Sequence, residues 1–493
     1  MKNFIFFLPE FFLILILLSL CIFIPQYTNR NIYKYIDILN FIEIFIILNF
    51  LIYIFLNLNS IGFNEHIIFN NIFINNNYTI FFKVFIIFIS ILILIIIKDH
   101  LKIVFKDHYD FFIIFIFLII SIVCLIMCFD LIYVALIVQL QNLAFYILFA
   151  LNSKTNKSIE GALKYFFLSS VGFGIYLFGV SLLYNITGTT KINELYYLVI
   201  LGNYNYIYEK IFSLGLILIC LSIFFKLSIA PFHFWAPDVY LSMDRAVLII
   251  FAIIPKVSLL FFFYKFYFYI LKNFFFCWDN FFLFFIIFTF IIGILGSINA
   301  VNIQSMFAYF WVFTVGFILI FFVLDLNLAF YLFLFLYSIN IFNFCICLIL
   351  LKETKNKSIK KELNLINQLI YIKKSNILFY ICFVVSIFSL MGIPPFSGFI
   401  GKFFIFITAI GENFFFLVFI TLFFTIISCF YYLRLIKIVS FNNNKNWFFL
   451  DKISKKNSYI LSFFLIFNLF SFFLMPFFIE FFKFLYLSSI FFF

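Results

Sequence analysis

Charged residues are scarce in this chain of 493 residues, at 11%, whereas a soluble domain has about 25%. Hydrophobic residues make up 67%, and 92 of the residues are Phe. A globular core cannot hide that much apolar surface, so lipid is the expected solvent of most side chains. The composition therefore excludes a soluble protein.

Glycine and proline are also scarce, with 15 and 8 residues, which excludes a collagen-like rod or a low-complexity disordered chain. The 9 cysteines show no Cys-x-x-Cys spacing, and the sequence has no glycine-rich phosphate loop. We therefore expect no disulfide framework, zinc site, iron–sulfur cluster or other cofactor in this chain. No removable signal peptide is expected, and the abundance of residues with AT-rich codons indicates an organelle-encoded chain.

Apolar segments long enough to cross a bilayer recur along the chain. A hydrocarbon core of ~30 Å needs about 20 helical residues, and an open strand cannot cross it because its backbone groups would be unpaired. The sequence predicts an all-α polytopic membrane protein with fourteen transmembrane helices. The predicted spans are 3–25, 36–57, 80–97, 110–129, 131–151, 160–187, 211–235, 246–271, 280–300, 305–324, 328–351, 377–409, 413–439 and 458–488.

Most basic residues fall in loops that this even number of spans places on one face. They are concentrated at 98–106, 154–164, 352–374 and 434–456, and Arg245 is counted with them. The positive-inside rule puts these loops on the inner face and both termini on the outer face. The formal charge of +12 is therefore interpreted as topology and not as a nucleic-acid surface.

Five lysines that are not counted with a loop or a terminus lie inside the predicted spans, where a charge costs at least ~2.5–3.5 kcal/mol. Lys83 lies about 4 Å into its span and Lys265 roughly 28 Å into its own, so both are expected to reach the headgroups. Lys226, Lys256 and Lys402 lie about 12–15 Å from the nearer end of their spans. These three lysines are predicted to be buried for a functional reason.

Two of the spans with a deep lysine are predicted to be broken helices. Pro231 follows Lys226 closely, and Gly392, Pro394 and Pro395 precede Lys402. Proline frees a helical carbonyl that lipid cannot satisfy, so such a break is tolerated where it lines protein or water. A pair of packing kinks is the alternative interpretation.

Spans four to eight form one set of five and spans nine to thirteen form another, and the fourth span of each set carries a break. Because five is an odd number of crossings, the second set enters the membrane from the side opposite to the first. Two inverted five-helix repeats are predicted, as in repeat-built transporters. The expected division is 1–109 for three amino-terminal helices, 110–275 and 276–440 for the two repeats, and 441–493 for a loop and the last helix.

A row of lysines that can gain or lose a proton, joined by water, suggests proton transfer across the membrane. His233 lies in the first broken segment and is a candidate member of this relay, with a packing role as the alternative. His66, His100 and His108 fall in loops, where a solvated role is expected.

Five motifs resemble those of the antiporter-like membrane subunits of respiratory complex I, and most closely the chain 2 type in its fourteen-helix form. The motifs are 8–10, 141–146, 160–166, 226–240 and 392–403, of which the last two are the specific ones. The resemblance implies a proton-translocating subunit in the mitochondrial inner membrane, in contact with lipid and with other membrane-arm subunits. It also implies that NADH, FMN, iron–sulfur clusters and ubiquinone bind elsewhere in the complex.

The resemblance also implies roles for individual residues. Lys226, Lys256 and Lys402 match the lysines of the seventh, eighth and twelfth family helices. The fifth-helix glutamate, which partners the seventh-helix lysine in the family, is replaced by Gln139. Glutamine cannot transfer a proton at neutral pH, so Lys226 either loses its charge through burial alone or receives a substitute carboxylate from an adjacent subunit or from this chain. The candidates within this chain are Asp130 and Glu43.

Two other functions stay open at this point. One is a subunit of a multi-subunit cation/proton antiporter, which the same family resembles. The other is a structural membrane subunit with an impaired proton channel, and Gln139 is the sequence feature that favours it.

Overall fold

The computed structural model describes residues 7–27, 46–47, 49, 51, 66–104, 110–151, 156–201, 206–274, 278–356, 359–441, 449–450 and 453–490. Helices account for nearly all of them. The first nine are α1 (Leu8–Tyr27), α2 (Asn77–Val104), α3 (Asp110–Met127), α4 (Leu131–Ala150), α5 (Asn156–Thr187), α6 (Ile192–Leu201), α7 (Tyr206–Leu227), α8 (Trp235–Ser242) and α9 (Arg245–Phe266), which continues as a π-helical turn, Tyr267–Leu271.

The carboxyl-terminal part adds nine more helices and a 3₁₀ turn, Ile366–Tyr371. The helices are α10 (Trp278–Asn299), α11 (Ile303–Val323), α12 (Asn327–Leu350), α13 (Ile372–Ser375), α14 (Ile377–Met391), α15 (Ser397–Gly411), α16 (Phe415–Phe441), α17 (Lys455–Phe470) and α18 (Met475–Ile490).

Ten helices in the described part of the chain are long and apolar enough to cross a membrane, and an eleventh span is possible. That eleventh span is the pair α17 and α18, which are bent by 93° at a short break. The predicted span 377–409 is divided into the shorter helices α14 and α15. Span 36–57 lies almost wholly outside the described residues. The chain is therefore a multi-pass helical membrane protein, and the count of fourteen stays a prediction.

The chain divides into two compact units. The first consists of Met1–Leu227, Ile250–Phe276 and Leu485–Phe493, and the second of Ser228–Ile249 and Cys277–Phe484. The predicted division into four segments, with two inverted repeats, stays a prediction.

In the first unit, α7 packs closely against α5 at two glycines. A Cβ atom added to Gly179 would lie 2.9 Å from the carbonyl oxygen of Gly215, a distance that real side chains do not reach. The two backbones can approach this closely because both residues lack a side chain. This contact sets the position of α7, the helix that carries Lys226.

In the second unit, α10 and α11 meet in the same way. A Cβ atom on Gly293 would lie 2.8 Å from the backbone nitrogen of Phe313, so no larger residue fits there. Helix α11 is buried almost along its whole length, which agrees with its continuous apolar sequence.

Two small antiparallel sheets occupy the connections. Strands β1 (His66–Ile68) and β2 (Phe73–Asn75) form a hairpin. Strand β3 (Lys352–Asn356) pairs with β4 (Ile359–Glu362) and with β5 (Phe449–Leu450). The lysine-rich loop after α12 is thus partly a hairpin, in which Lys352 is opposite Glu362 and Glu353 is opposite Lys361. Hairpins are a feature that the sequence prediction missed.

Arg245 is buried, although the sequence places it among the basic loop residues. Its guanidinium donates at 2.6 Å to the carbonyl oxygens of Leu348 and Leu351, at the end of α12. It also donates to the carbonyl of Leu363 at 2.5 Å and to Oδ1 of Asn364 at 3.2 Å. The last carbonyls of a helix have no intrahelical partner, and a cation there also complements the helix dipole. Arg245 therefore caps α12.

Candidate functional site

Lys226 is the penultimate residue of α7, directly before the first predicted break. Helix α7 ends at Leu227, and Ser228 has a φ of 56°. Pro231 follows, and helical structure resumes only at Trp235. Proline has no N–H to continue the ladder, so the break occurs where the sequence predicts it.

The amine of Lys226 donates to the side-chain oxygen of Asn142, on α4, at 3.1 Å. The hydroxyl of Tyr165, on α5, donates to the same oxygen at 3.3 Å. Asn142 lies within the family motif 141–146, and its role was not predicted from the sequence. The available signal was its position three residues after Gln139, because residues three apart on a helix lie on one face.

Gln139 lies in the same site, one hydrogen bond further from the lysine. Its Oε1 accepts from the amide nitrogen of Asn142 at 3.1 Å. The register that aligns Gln139 with the family glutamate therefore agrees with its position near Lys226. The order of the contacts is Lys226, Asn142 and Gln139.

The proposed substitute carboxylates do not complete this site within the described part of the chain. Asp130 caps the amino end of α4: its side chain accepts from the backbone of Ile132 at 2.9 Å and from the hydroxyl of Thr190 at 3.1 Å. Glu43 lies outside the described residues. Among the residues that the structure describes, no carboxylate forms an ion pair with Lys226.

A cavity of about 20 Å³ lies beside Lys226, between α4, α5, α7 and α9. Its lining includes Tyr176, Ser222 and, from α9, Leu259. One water molecule needs at least about 10–15 Å³ and two to four polar partners. The cavity therefore has the volume of a single water, but most of its lining is apolar, and the hydroxyls of Tyr176 and Ser222 already donate to backbone carbonyls.

Lys256 lies on α9, directly after Pro255, and is 3% exposed. Its amine lies 5.9 Å from the centre of the Phe251 ring. Leu259, which lines the cavity beside Lys226, is about 4.5 Å further along the same helix. Lys256 is thus deeply buried on a helix that borders the Lys226 cavity, as the sequence predicts for its depth.

Lys402 occupies the second break. Its amine donates at 2.6 Å to the carbonyl oxygen of Met391, the last residue of α14, and lies 5.1 Å from the centre of the Phe317 ring. The break thus supplies a free backbone carbonyl to the lysine. An oxygen of this kind is expected where a helix is interrupted at membrane depth.

Gly392 makes this contact possible. Its φ of 79° is left-handed, and it ends α14. A Cβ atom there would lie 2.9 Å from Cδ and 3.0 Å from Nζ of Lys402. Pro394 and Pro395 separate this glycine from α15, which begins at Ser397. Met391 and Gly392, at the start of the second predicted break, therefore lie against the lysine.

The prediction for Lys83 was wrong. This lysine is 1% exposed, and its amine donates to Oε1 of Glu10 at 2.9 Å and to the side-chain oxygen of Asn75 at 2.5 Å. Glu10, on α1, is also 1% exposed. A buried carboxylate attracts the amine more strongly than distant headgroups can, so the lysine turns inward.

The prediction for Lys265 was also wrong. The amine is buried and donates to the carbonyl oxygen of Ile126, near the end of α3, at 2.5 Å. It lies 5.1 Å from the centre of the Phe261 ring. The carboxyl end of a helix carries partial negative charge, which provides a protein partner for this lysine.

His233 lies within the first break, and its side chain is buried. Its Nδ1 lies 3.2 Å from the carbonyl oxygen of Pro231, and its ring contacts Phe234 and Tyr309. These contacts are those of a packed ring, and a relay role for His233 stays a prediction.

Lys226 and Lys402 share one chemical feature. Within the described residues, the hydrogen-bond partner of each amine is a neutral oxygen, from Asn142 for the first and from Met391 for the second. Either lysine can lose its proton without leaving a buried carboxylate uncompensated, whereas Lys83 cannot. Both sites are therefore suited to a change of charge.

Comparison with known proteins agrees with this geometry. Residues 128–428 match the family model described as the transmembrane region of NADH:quinone oxidoreductase/Mrp antiporter. The chain is 29% identical over 486 residues to NADH-ubiquinone oxidoreductase chain 2 of Marchantia polymorpha, and the match covers 96% of each.

Two solved structures show the same fold. A chain of respiratory complex I from Thermus thermophilus with bound aureothin has a TM-score of 0.75 and 17% identity, covering 95% of this chain and 98% of that one. A chain of the Mrp complex from Dietzia sp. DQ12-45-1b has a TM-score of 0.75 and 18% identity, covering 89% and 80%. The family model spans more than half of the sequence and includes Asn142, Lys226 and Lys402, so the chain belongs to the NADH:quinone oxidoreductase/Mrp antiporter family.

Proposed function

We propose that this chain is a proton-translocating membrane-arm subunit of respiratory complex I. The observation that carries the proposal is the position of Lys402, buried at a helix break with its amine on a backbone carbonyl. The relative named NADH-ubiquinone oxidoreductase chain 2, which matches nearly the full length, supports complex I over other members of the family.

In this proposal, electron transfer from NADH to ubiquinone occurs in other subunits, which hold the NADH, FMN, iron–sulfur and quinone sites. The charge shift of that reaction changes the protonation of Lys226, Lys256 and Lys402 in turn. A proton enters from the face of the lysine-rich loops and leaves at the opposite face. The chain itself supplies the buried amines, the acceptor oxygens and the polar groups that hold water between them.

The same proposal covers location and partners. The membrane is the mitochondrial inner membrane, the lysine-rich loops face the matrix, and both termini face the intermembrane space. The excess of basic residues at 352–374 and 434–456 supports this orientation through the positive-inside rule. Other membrane-arm subunits and lipid cover the apolar outer surfaces, on which residues such as Phe416 and Ile426 are exposed.

The decisive experiment replaces the lysines in the intact assembled complex. Lys226→Met and Lys402→Met keep the length of the side chain and remove its charge. We expect both variants to assemble and to lower the number of protons pumped per electron. Lys437→Met is the control, because Lys437 is exposed near the end of α16. Unchanged proton-to-electron ratios in both buried-lysine variants would refute the proposal.

A cation/proton antiporter subunit is the second candidate, supported by the shared fold with the Mrp complex of Dietzia. Purification separates the two functions. Association with flavin and iron–sulfur proteins supports complex I, whereas sodium-dependent proton transport without them supports the antiporter. A structural subunit with an impaired channel is the third possibility, and it predicts normal pumping after replacement of Lys226.

A further inference from the structure

Four polar side chains form a buried cluster in the second unit, apart from the lysines. Asn340 and Asn343 lie on α12, Ser397 begins α15, and Asn468 lies near the end of α17. Each is at most 2% exposed. None of them belongs to the predicted relay. A buried amide or hydroxyl needs a hydrogen-bond partner to offset its desolvation, so the partners of this cluster can be counted atom by atom.

The hydroxyl group of Ser397 lies close to two acceptor oxygens but has only one hydrogen to donate. Its hydroxyl oxygen lies 2.5 Å from Oδ1 of Asn340 and 2.6 Å from Oδ1 of Asn468. One hydroxyl hydrogen can serve only one of them. The nitrogen of the Asn468 amide has no acceptor within the described part of the chain. Turning this amide over lets the nitrogen donate to Ser397 and moves the oxygen to the place that lacked an acceptor.

Asn343 is unsatisfied at both ends of its amide. It is 1% exposed, and within the described residues neither its nitrogen nor its oxygen has a hydrogen-bond partner. It lies three residues after Asn340, so the two side chains are on one face of α12, about 4.5 Å apart along the axis. Buried polar atoms without a protein partner are commonly satisfied by ordered water.

The cluster lies partly on the helix that carries Lys402 and close in sequence to a third helix break. Ser397 precedes Lys402 by five residues on α15, about 7.5 Å along the axis, and the amine of Lys402 is bonded to Met391. On the other side, Asn468 is followed by the bend between α17 and α18. The hydroxyl of Ser471 donates to the carbonyl of Asn468 at 3.0 Å, and Phe473, within the bend, is 73% exposed.

We propose that Asn340, Asn343, Ser397 and Asn468 bind a short file of water molecules that connects Lys402 with the bend between α17 and α18. This inference rests on the proposed function and names a branch of its proton path. An N–H bond of the Lys402 ammonium breaks as an O–H bond forms on the first water. Each water then releases one of its protons to the next, and the last water releases a proton to bulk water beside the bend, so every water of the file ends with two O–H bonds.

The first measurement is a structure of the wild-type assembled complex in which ordered water is visible. We expect water within hydrogen-bond distance of the amides of Asn343 and Asn468. A dry cluster, in which rotated amides bond to protein groups alone, would overturn the proposal.

The second measurement is the proton-to-electron ratio of three variants. Asn343→Leu removes the amide at similar size, and we expect it to lower the ratio by at least half of the loss that Lys402→Met causes. Asn343→Ser keeps a polar group with room for water and should retain most of the wild-type ratio. Ile346→Leu, a buried residue one turn away on α12, is the control and should change nothing.

The outcomes are distinguishable. If Lys402→Met lowers the ratio and Asn343→Leu does not, the branch is wrong while the proposed function stands, and any water seen there is structural only. If neither variant lowers the ratio, the proposed function fails and the branch fails with it. Removing an unsatisfied amide should not hinder folding. If Asn343→Leu nevertheless does not assemble, the presence or absence of water in the wild-type structure decides.

Discussion

Lys226 donates its hydrogen bond to Asn142 at 3.1 Å, so the residue that contacts the seventh-helix lysine is an amide and not a carboxylate. The amide nitrogen of Asn142 in turn donates to Gln139. The position of the family glutamate is thus joined to the lysine through one neutral side chain. Three polar groups are connected here without a negative charge.

Asn142→Leu should therefore impair proton translocation as strongly as Lys226→Met. The substitution removes the oxygen that holds the amine and breaks the connection to Gln139. The measurement is the proton-to-electron ratio of the assembled complex, with Leu143→Ile as the control because Leu143 is exposed on the same helix. A normal ratio in Asn142→Leu would show that this contact is dispensable.

Gln139→Glu should raise the proton-to-electron ratio or leave it unchanged. The new carboxylate would lie two hydrogen bonds from Lys226, through Asn142, and would supply the missing counter-charge in the low-dielectric interior. Gln139→Leu is the comparison that removes the hydrogen bond without adding charge. A lower ratio in Gln139→Glu than in Gln139→Leu contradicts this account of the site.

Gly392→Ala should destabilise the protein. The left-handed φ of 79° costs about 1–2 kcal/mol for a residue with a Cβ atom. The methyl group would also displace the Lys402 side chain. Gly174→Ala is the matched control, because a Cβ atom there has no neighbour within 4 Å in the described part of the chain. Thermal unfolding of the purified complex measures the difference, and equal midpoints for the two variants are the adverse result.

Glu10→Gln should destabilise the first unit by about 3–5 kcal/mol, because it leaves the Lys83 charge buried without its partner. Combining it with Lys83→Met removes both charges and should recover most of the loss. The comparison of the single and double variants is a thermodynamic cycle, read from thermal unfolding or from the yield of assembled complex. A double variant no more stable than Glu10→Gln would mean that the pair is not the cause.

Ten of the fourteen spans, the two breaks and the burial of the three deep lysines could be predicted because each depends on local sequence. Apolar length sets a span, Pro231 and Pro394 interrupt helices wherever they occur, and depth along one helix follows from the rise per residue. The choice of Gln139 as the family position also came from the sequence.

The partners of the lysines could not be predicted, because they come from distant positions. Glu10 is separated from Lys83 by 73 residues, and Asn142 from Lys226 by 84. The depth of a residue along its span gives the position of its backbone but not the group that its side chain contacts. For this reason the prediction that Lys83 reaches the headgroups was wrong. The hairpin of β3 and β4 was missed because charged loop residues carry no apolar alternation.

Arg245 ties the first turn of α9 to the end of α12 and to the segment after it. The same helix carries Lys256 eleven residues later, about 16.5 Å along its axis. Pro255 lies just before that lysine and removes one backbone hydrogen bond of the helix. The first turn of the helix that carries Lys256 is therefore fixed to the residues at the start and the end of the β3–β4 segment.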